Sequence, residues 1–179
     1  MAKGIFISTN MKSTKGVTRI YDAVSTVELE NGQFGYLTTL ATGEEAIYNF
    51  VVGKLAGKEI VVIDQPVWSA DESHRANQRK DKFVIPAGTA FRVRVIAIND
   101  EFAVNTAAVT TATASAMIVG AFVTIDATGK LIAAASAGVG TIFEGTVMRK
   151  KIQGGVVVTS AHTYGYSTDI FEVKVTTLA

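Results

Sequence analysis

Between residues 90 and 98 the chain reads AFRVRVIAI, so that an extended backbone puts Phe91, Val93 and Val95 on one face and Arg92 and Arg94 on the other. A period of two predicts a half-buried strand. The same alternation returns near the end, where Phe171, Val173 and Val175 oppose Glu172, Lys174 and Thr176. Residues 58–63 form a run with β-branched residues stopped by Pro66, the pattern of a buried strand. Residues 44–55 are read as another strand, because Gly53 and Gly57 weaken a long helix there.

Glycine punctuates these runs. Asn31-Gly32 sits between two alternating segments and predicts a type I′ hairpin in which Glu30 pairs with Gln33, Leu29 opposes Phe34 and Val27 opposes Tyr36. Residues 86–88 and 99–100 read as turns. A strand, a turn over 126–129 and a return strand follow, and residues 141–160 repeat that plan with Gly154-Gly155 as the turn. The fold class is therefore mainly β, with Gly-punctuated hairpins forming a β-barrel or sandwich. Residues 106–117 carry almost no large side chain and read as a linker. They divide the chain into two small β modules, a β-rich unit over 1–105 with a possible N-terminal arm and a small barrel or sandwich over 118–179. No fixed-period repeat accompanies them.

Composition agrees with this reading: 48% of the 179 residues are hydrophobic, and they are dominated by Ala and Val rather than Leu. Seventeen Lys and Arg against sixteen Asp and Glu leave a formal charge of +1, which gives no general attraction to nucleic acid or to an anionic membrane. The absence of cysteine excludes disulfides, thiolate nucleophiles and zinc–thiolate sites. The amino terminus has no apolar core of signal-peptide length, and residues 112–125 fall short of the ~20 apolar residues a spanning helix needs. Synthesis in a cytoplasm and no membrane partner are expected.

Candidate chemistry concentrates in residues 69–81, SADESHRANQRKD. Asp71, Ser73 and His74 lie too close along the chain to converge as a triad, and no nucleophile elbow accompanies them, so a solvated loop is expected. His162 lies beside Tyr164 and Tyr166 in a second loop. Joined to His74 with Asp169 or Glu172 it would make a metal set, but no ligand spacing supports that, and a structural role for the loop is expected. No phosphate loop is present, and the carboxylate pairs Glu28/Glu30 and Glu44/Glu45 are explained by hairpin faces and turns. No catalytic, cofactor or metal residue is assigned, and the chain is not read as an enzyme. Lys3, Phe6, Lys12, Lys15 and Arg19 mark an arm that docks on a partner or adds a strand to a neighbour's sheet; an ordinary first strand explains them equally well.

The stretches FVIPAGTAFRVRVIAINDEFAV and VGAFVTIDATGKLIAAASAGVGTIFEGTV resemble those of Gly- and Ala-rich β proteins that tailed bacteriophages place on the outside of the head. The likeness covers the second half of the chain well and the first half loosely. It implies a capsid decoration, or cement, protein that binds the assembled shell, with the major capsid protein as partner, a homo-oligomeric state and a place on the virion surface. No family binding residue transfers by position. Another phage structural subunit, such as a tail tube or head fibre, and a carbohydrate-binding module using Trp68, Tyr164 and Tyr166 stand as alternatives.

Overall fold

The computed structural model describes residues 3–14, 19–67, 82–138, 142–158 and 163–179. Its strands are β1 (Phe6–Asn10), β2 (Ile20–Val24), β3 (Phe34–Leu40), β4 (Ile47–Val52), β5 (Ile60–Ile63), β6 (Phe91–Val95), β7 (Glu101–Asn105), β8 (Phe122–Ile125), β9 (Leu131–Ala134), β10 (Phe143–Val158) and β11 (Thr163–Leu178). The fold is mainly β, as expected. Five strands close a barrel in the order β2-β4-β3-β5-β6, with β2 parallel to β4, and six form an open sheet in the order β1-β7-β11-β10-β8-β9.

Pattern and burial agree in β5 and, apart from Arg94, which is buried against Asp64, in β6. Phe91, Val93 and Val95 point into the barrel with Ala23, Phe50, Val61 and Ile63. In β5, Val61 and Ile63 face that interior, whereas Ile60 and Val62 face a second core shared with the open sheet. Burial on both faces explains its uninterrupted apolar run. The shared core gathers Phe34 from the barrel with Phe6, Phe102, Val104, Phe143, Phe171 and Val173 from the sheet. Phe34 is fully buried, its ring 5.5 Å from that of Phe102 and 5.6 Å from that of Phe143. Its backbone is held from both sides, its N–H donating to Gly129 O at 2.8 Å and its O accepting from Gly53 N at 3.0 Å. At Gly129, where φ is +72°, a Cβ would stand 2.4 Å from Phe34 O, so only glycine permits this approach.

Three sequence expectations are corrected. Two β units exist, but the boundary is not at 106–117: the open sheet combines β1 and β7 with β8–β11, and the barrel is inserted between β1 and β7. Residues 106–117 form two 3-10 turns, Thr106–Ala108 and Thr111–Ala116, and Ala108, Val109 and Met117 enter the shared core. Small side chains there allow close packing rather than freedom.

The turn at Asn31-Gly32 forms, with Gln33 N donating to Glu30 O at 3.4 Å, but no hairpin follows from it. Leu29 pairs with Ile85, and Phe34 pairs with Val62. Asn31 does not take the positive φ a type I′ turn requires. Its side-chain amide instead pairs with the backbone of Gln65, donating to Gln65 O at 2.9 Å and accepting from Gln65 N at 2.8 Å. Gly154-Gly155 is not a turn either: β10 runs through it, with Gly154 opposite Ser167 and Gly155 opposite Tyr166.

Asp126 organises the β8–β9 turn. Burial pushes its carboxyl upward, but hydrogen bonds from the hydroxyls of Thr110 and Thr128 and from the backbone N–H groups of Lys130 and Thr128 outweigh that and hold it below the ordinary carboxylate range. A depressed folded-state value stabilises the fold above the unfolded pKa of about 3.9, and the contribution is lost as pH falls through the folded value. The gap in urea midpoint between the native chain and Asp126→Asn is therefore expected to be wide at neutral pH and narrower near pH 3; a pH-independent gap would contradict the assignment. Phe34→Ala is expected to cost about 3–5 kcal/mol while fluorescence and circular dichroism keep coincident transitions. Separate midpoints would show that the barrel and the sheet do not share one core.

Candidate functional site

β10 and β11 pair antiparallel from Phe143 opposite Leu178 to Val158 opposite Thr163, with register shifts at Glu144/Gly145 and Val147/Arg149. Neighbouring strands cover only the first part of this length: β8 meets β10 at Gly145 and Thr146, and β7 meets β11 from Ile170 to Lys174. From Ile152 opposite Asp169 onward, β10 and β11 pair with no other described strand. At ~3.4 Å per residue the remaining seven pairs extend about 20 Å, as a two-stranded ribbon with both edges unpaired by the described residues.

The root of this ribbon is the most distinctive surface of the molecule. A bulge between Val147 and Arg149 puts Met148 outside the ladder, and Met148 is 54% exposed. Ile152, further out, is 72% exposed. The 118–121 turn is fastened alongside, Gly120 N donating to Val147 O at 2.8 Å and Val147 N donating to Ala121 O at 2.9 Å. It carries Ile118 and Val119, both more than three-fifths exposed. The root of the ribbon and the turn beside it thus expose four large apolar side chains, Ile118, Val119, Met148 and Ile152.

Charges beside them are paired within the ribbon. Lys150 meets Asp169 at 2.8 Å and lies 5.5 Å from the ring centre of Phe171, while Arg149 and Lys151 both reach Glu172. Exposed pairs of this kind are worth up to about 1 kcal/mol each.

The residues expected as a docking arm do not form one unit. Phe6 lies in the shared core, on an edge strand whose pairing partner is β7. Lys3 is tied to Glu30 at 3.0 Å and Glu28 at 3.6 Å, and the hydrogen bond it donates to Glu30 leads the interactions that raise its pKa above the ordinary lysine value, against the opposing effect of burial. Its neighbourhood is fixed by buried Asn105, which accepts from Ile5 N at 2.8 Å and donates to Lys3 O at 2.9 Å. Lys12 and Arg19 are brought together on a different surface, a groove at the seam of barrel and sheet. Lys15, Trp68, the 69–81 loop with His74, and His162 lie outside the described residues, and Tyr164 and Tyr166 are described only as backbone of β11.

Among the described residues, no three His, Asp or Glu side chains come together as a metal-binding set. Lys54 is the other perturbed amine: burial pushes it below the ordinary lysine value, and it donates to Thr124 Oγ1 at 2.7 Å. That bond ties the end of β4 to β8, a structural use. The ribbon escaped sequence reasoning because Gly154-Gly155 mimics a turn; the readable signal was the equal length of the two extended runs on either side of 159–162.

In comparisons with protein families, curated proteins and solved structures, no match to the chain was found.

Mild peroxide treatment followed by peptide mass spectrometry is expected to oxidise Met148 well before the buried Met11 and Met117. Equal rates at the three positions would contradict the exposed bulge.

Proposed function

We propose that the chain is a structural virion protein of the decoration, or cement, type, which binds the outside of a bacteriophage head and stabilises the shell. The observation that carries this reading is the β10–β11 ribbon with its apolar root of Ile118, Val119, Met148 and Ile152. A rigid body bearing such a ribbon suits attachment to a repeating protein surface: free strand edges add to a neighbour's sheet, and exposed apolar groups anchor the contact. On a shell the contact recurs at every equivalent junction, and cooperation between linked copies makes a modest single contact sufficient. The partner in this reading is the major capsid protein, the active form is a homo-oligomer, and the protein is made in the host cytoplasm before it joins the virion. The resemblance of residues 83–104 and 119–147 to head-coating β proteins points the same way.

Co-sedimentation of the purified chain with empty, undecorated heads tests the proposal. Saturable binding at a fixed ratio to the major capsid protein is expected. Met148→Asp and Ile152→Asp, both at exposed positions, are expected to bind at least about tenfold more weakly with unchanged thermal stability. Absence of saturable binding overturns the proposal, and assembly into rings or tubes would favour a tail component. Undiminished binding by both variants would remove the ribbon from the contact.

A further inference from the structure

Two surfaces away from the ribbon carry opposite charge that no described residue neutralises. The first is a groove of about 420 Å³ at the seam of barrel and sheet. Ile60, Ile96 and Ile98 contribute its apolar wall, with Ile98 44% exposed, and Lys12, Arg19 and Lys58 stand around it. Among its described lining residues the one side-chain carboxylate, Glu59, is engaged by Arg19 at 3.3 Å. Lys12 and Lys58 contact no carboxylate among the described residues. The groove is also held in shape: Lys12 N donates to buried Asp100 at 2.9 Å, Val95 N to Arg19 O at 2.9 Å, and Ile96 N to Ile60 O at 2.9 Å.

The second surface is the tip of the β3–β4 hairpin, residues 40–46. Glu44 and Glu45 are exposed and contact no cation among the described residues, and Leu40 beside them is 43% exposed. This tip is rigid for its size. The ladder slips between Leu37 and Leu40, and the Asn49 amide fills the gap by donating to Thr39 O at 3.3 Å and to Leu40 O at 3.2 Å. Ala41 N donates to Ile47 O at 2.8 Å, and Gly43 turns the chain at φ +83°. A stiff hairpin presenting two carboxylates and one leucine is complementary to a pre-shaped groove with two ammonium groups and an exposed isoleucine, all four charges unpaired among the described residues.

We infer that the hairpin tip Leu40/Glu44/Glu45 of one copy docks in the Lys12/Lys58/Ile98 groove of a second copy. One hairpin tip seated in one groove is expected to bury less than the ~1,000 Å² a stable dimer needs, so weak association is expected, reinforced wherever copies are held side by side. It names the self-contact of the homo-oligomer in the proposed function, yet it is a property of the free chain. Head binding and self-association can therefore fail independently.

Sedimentation velocity on the full chain over a concentration series decides the matter, at ionic strengths of about 0.05 M and 0.5 M, where screening differs strongly. Self-association at low salt that weakens at high salt is expected. The Glu44→Lys/Glu45→Lys chain and the Lys12→Glu/Lys58→Glu chain should each associate at least about tenfold more weakly alone. An equimolar mixture of the two should recover association, because each then offers what the other lacks. A chain with all four substitutions should associate as the native one does, which separates loss of complementarity from loss of fold. A native chain that stays monomeric throughout, native-like association by either paired variant alone, or a mixture that fails to associate overturns the inference.

Discussion

Phe34 is the constraint on which the molecule depends. A closed barrel satisfies its own backbone and fills its own interior, and an open sheet leaves one face to be covered. The two become one structure because a single barrel strand turns an aromatic ring outward, between Phe102 and Phe143 of the sheet. Everything around that ring serves the approach: Gly129 removes the Cβ that would block it, Ile60 and Val62 widen the apolar surface on the barrel side, and Phe6, Phe171 and Val173 widen it on the sheet side. The ribbon, groove and hairpin tip are placed by a body that this junction makes rigid.

Buried polar side chains then fix the chain where strands leave off. Asn31 pairs with the backbone of Gln65 as another strand would, Asn105 holds the segment entering β1, and Asp100 caps its own turn through Ala97 N while anchoring Lys12. Each satisfies donors or acceptors that no ladder reaches, which is the requirement for burying irregular backbone. Asp64 does similar work on the barrel's outer wall, where it receives both Arg92 and Arg94.

Much of the fold was legible in the sequence because strand burial writes itself as a period of two. β6 and the end of β11 are clear cases, and the double burial of β5 explains its unbroken run. Partner choice was not legible. Asn31-Gly32 specifies a reversal of the chain, but a reversal says nothing about which strand then lies alongside, and competition from Val62 and Ile85 decided it. The segment 106–117 was misread for a related reason: small residues suit a free linker and tight packing equally, and the difference lies in Met117 and Val109 finding a core supplied by distant strands. Candidate surfaces were legible least. Lys12, Arg19, Glu44 and Glu45 are visible as charges, but which of them remain unpaired depends on neighbours far away in sequence.

The sheet order also governs when the molecule can exist during its own synthesis. β1 is made before the barrel, yet its partner is β7, with Phe6 opposite Val104 and buried Asn105 closing the joint at Ile5, 100 positions upstream. β7 in turn completes its pairing only with β11 at the far end of the chain. The barrel strands lie in one stretch from β2 to β6, whereas β1 must wait for β7 and the sheet for β11. Long-range pairing of this kind makes folding slow and leaves exposed edges prone to the wrong neighbour. A cell making many copies at once therefore faces its greatest aggregation risk in the interval between emergence of the barrel and arrival of β11.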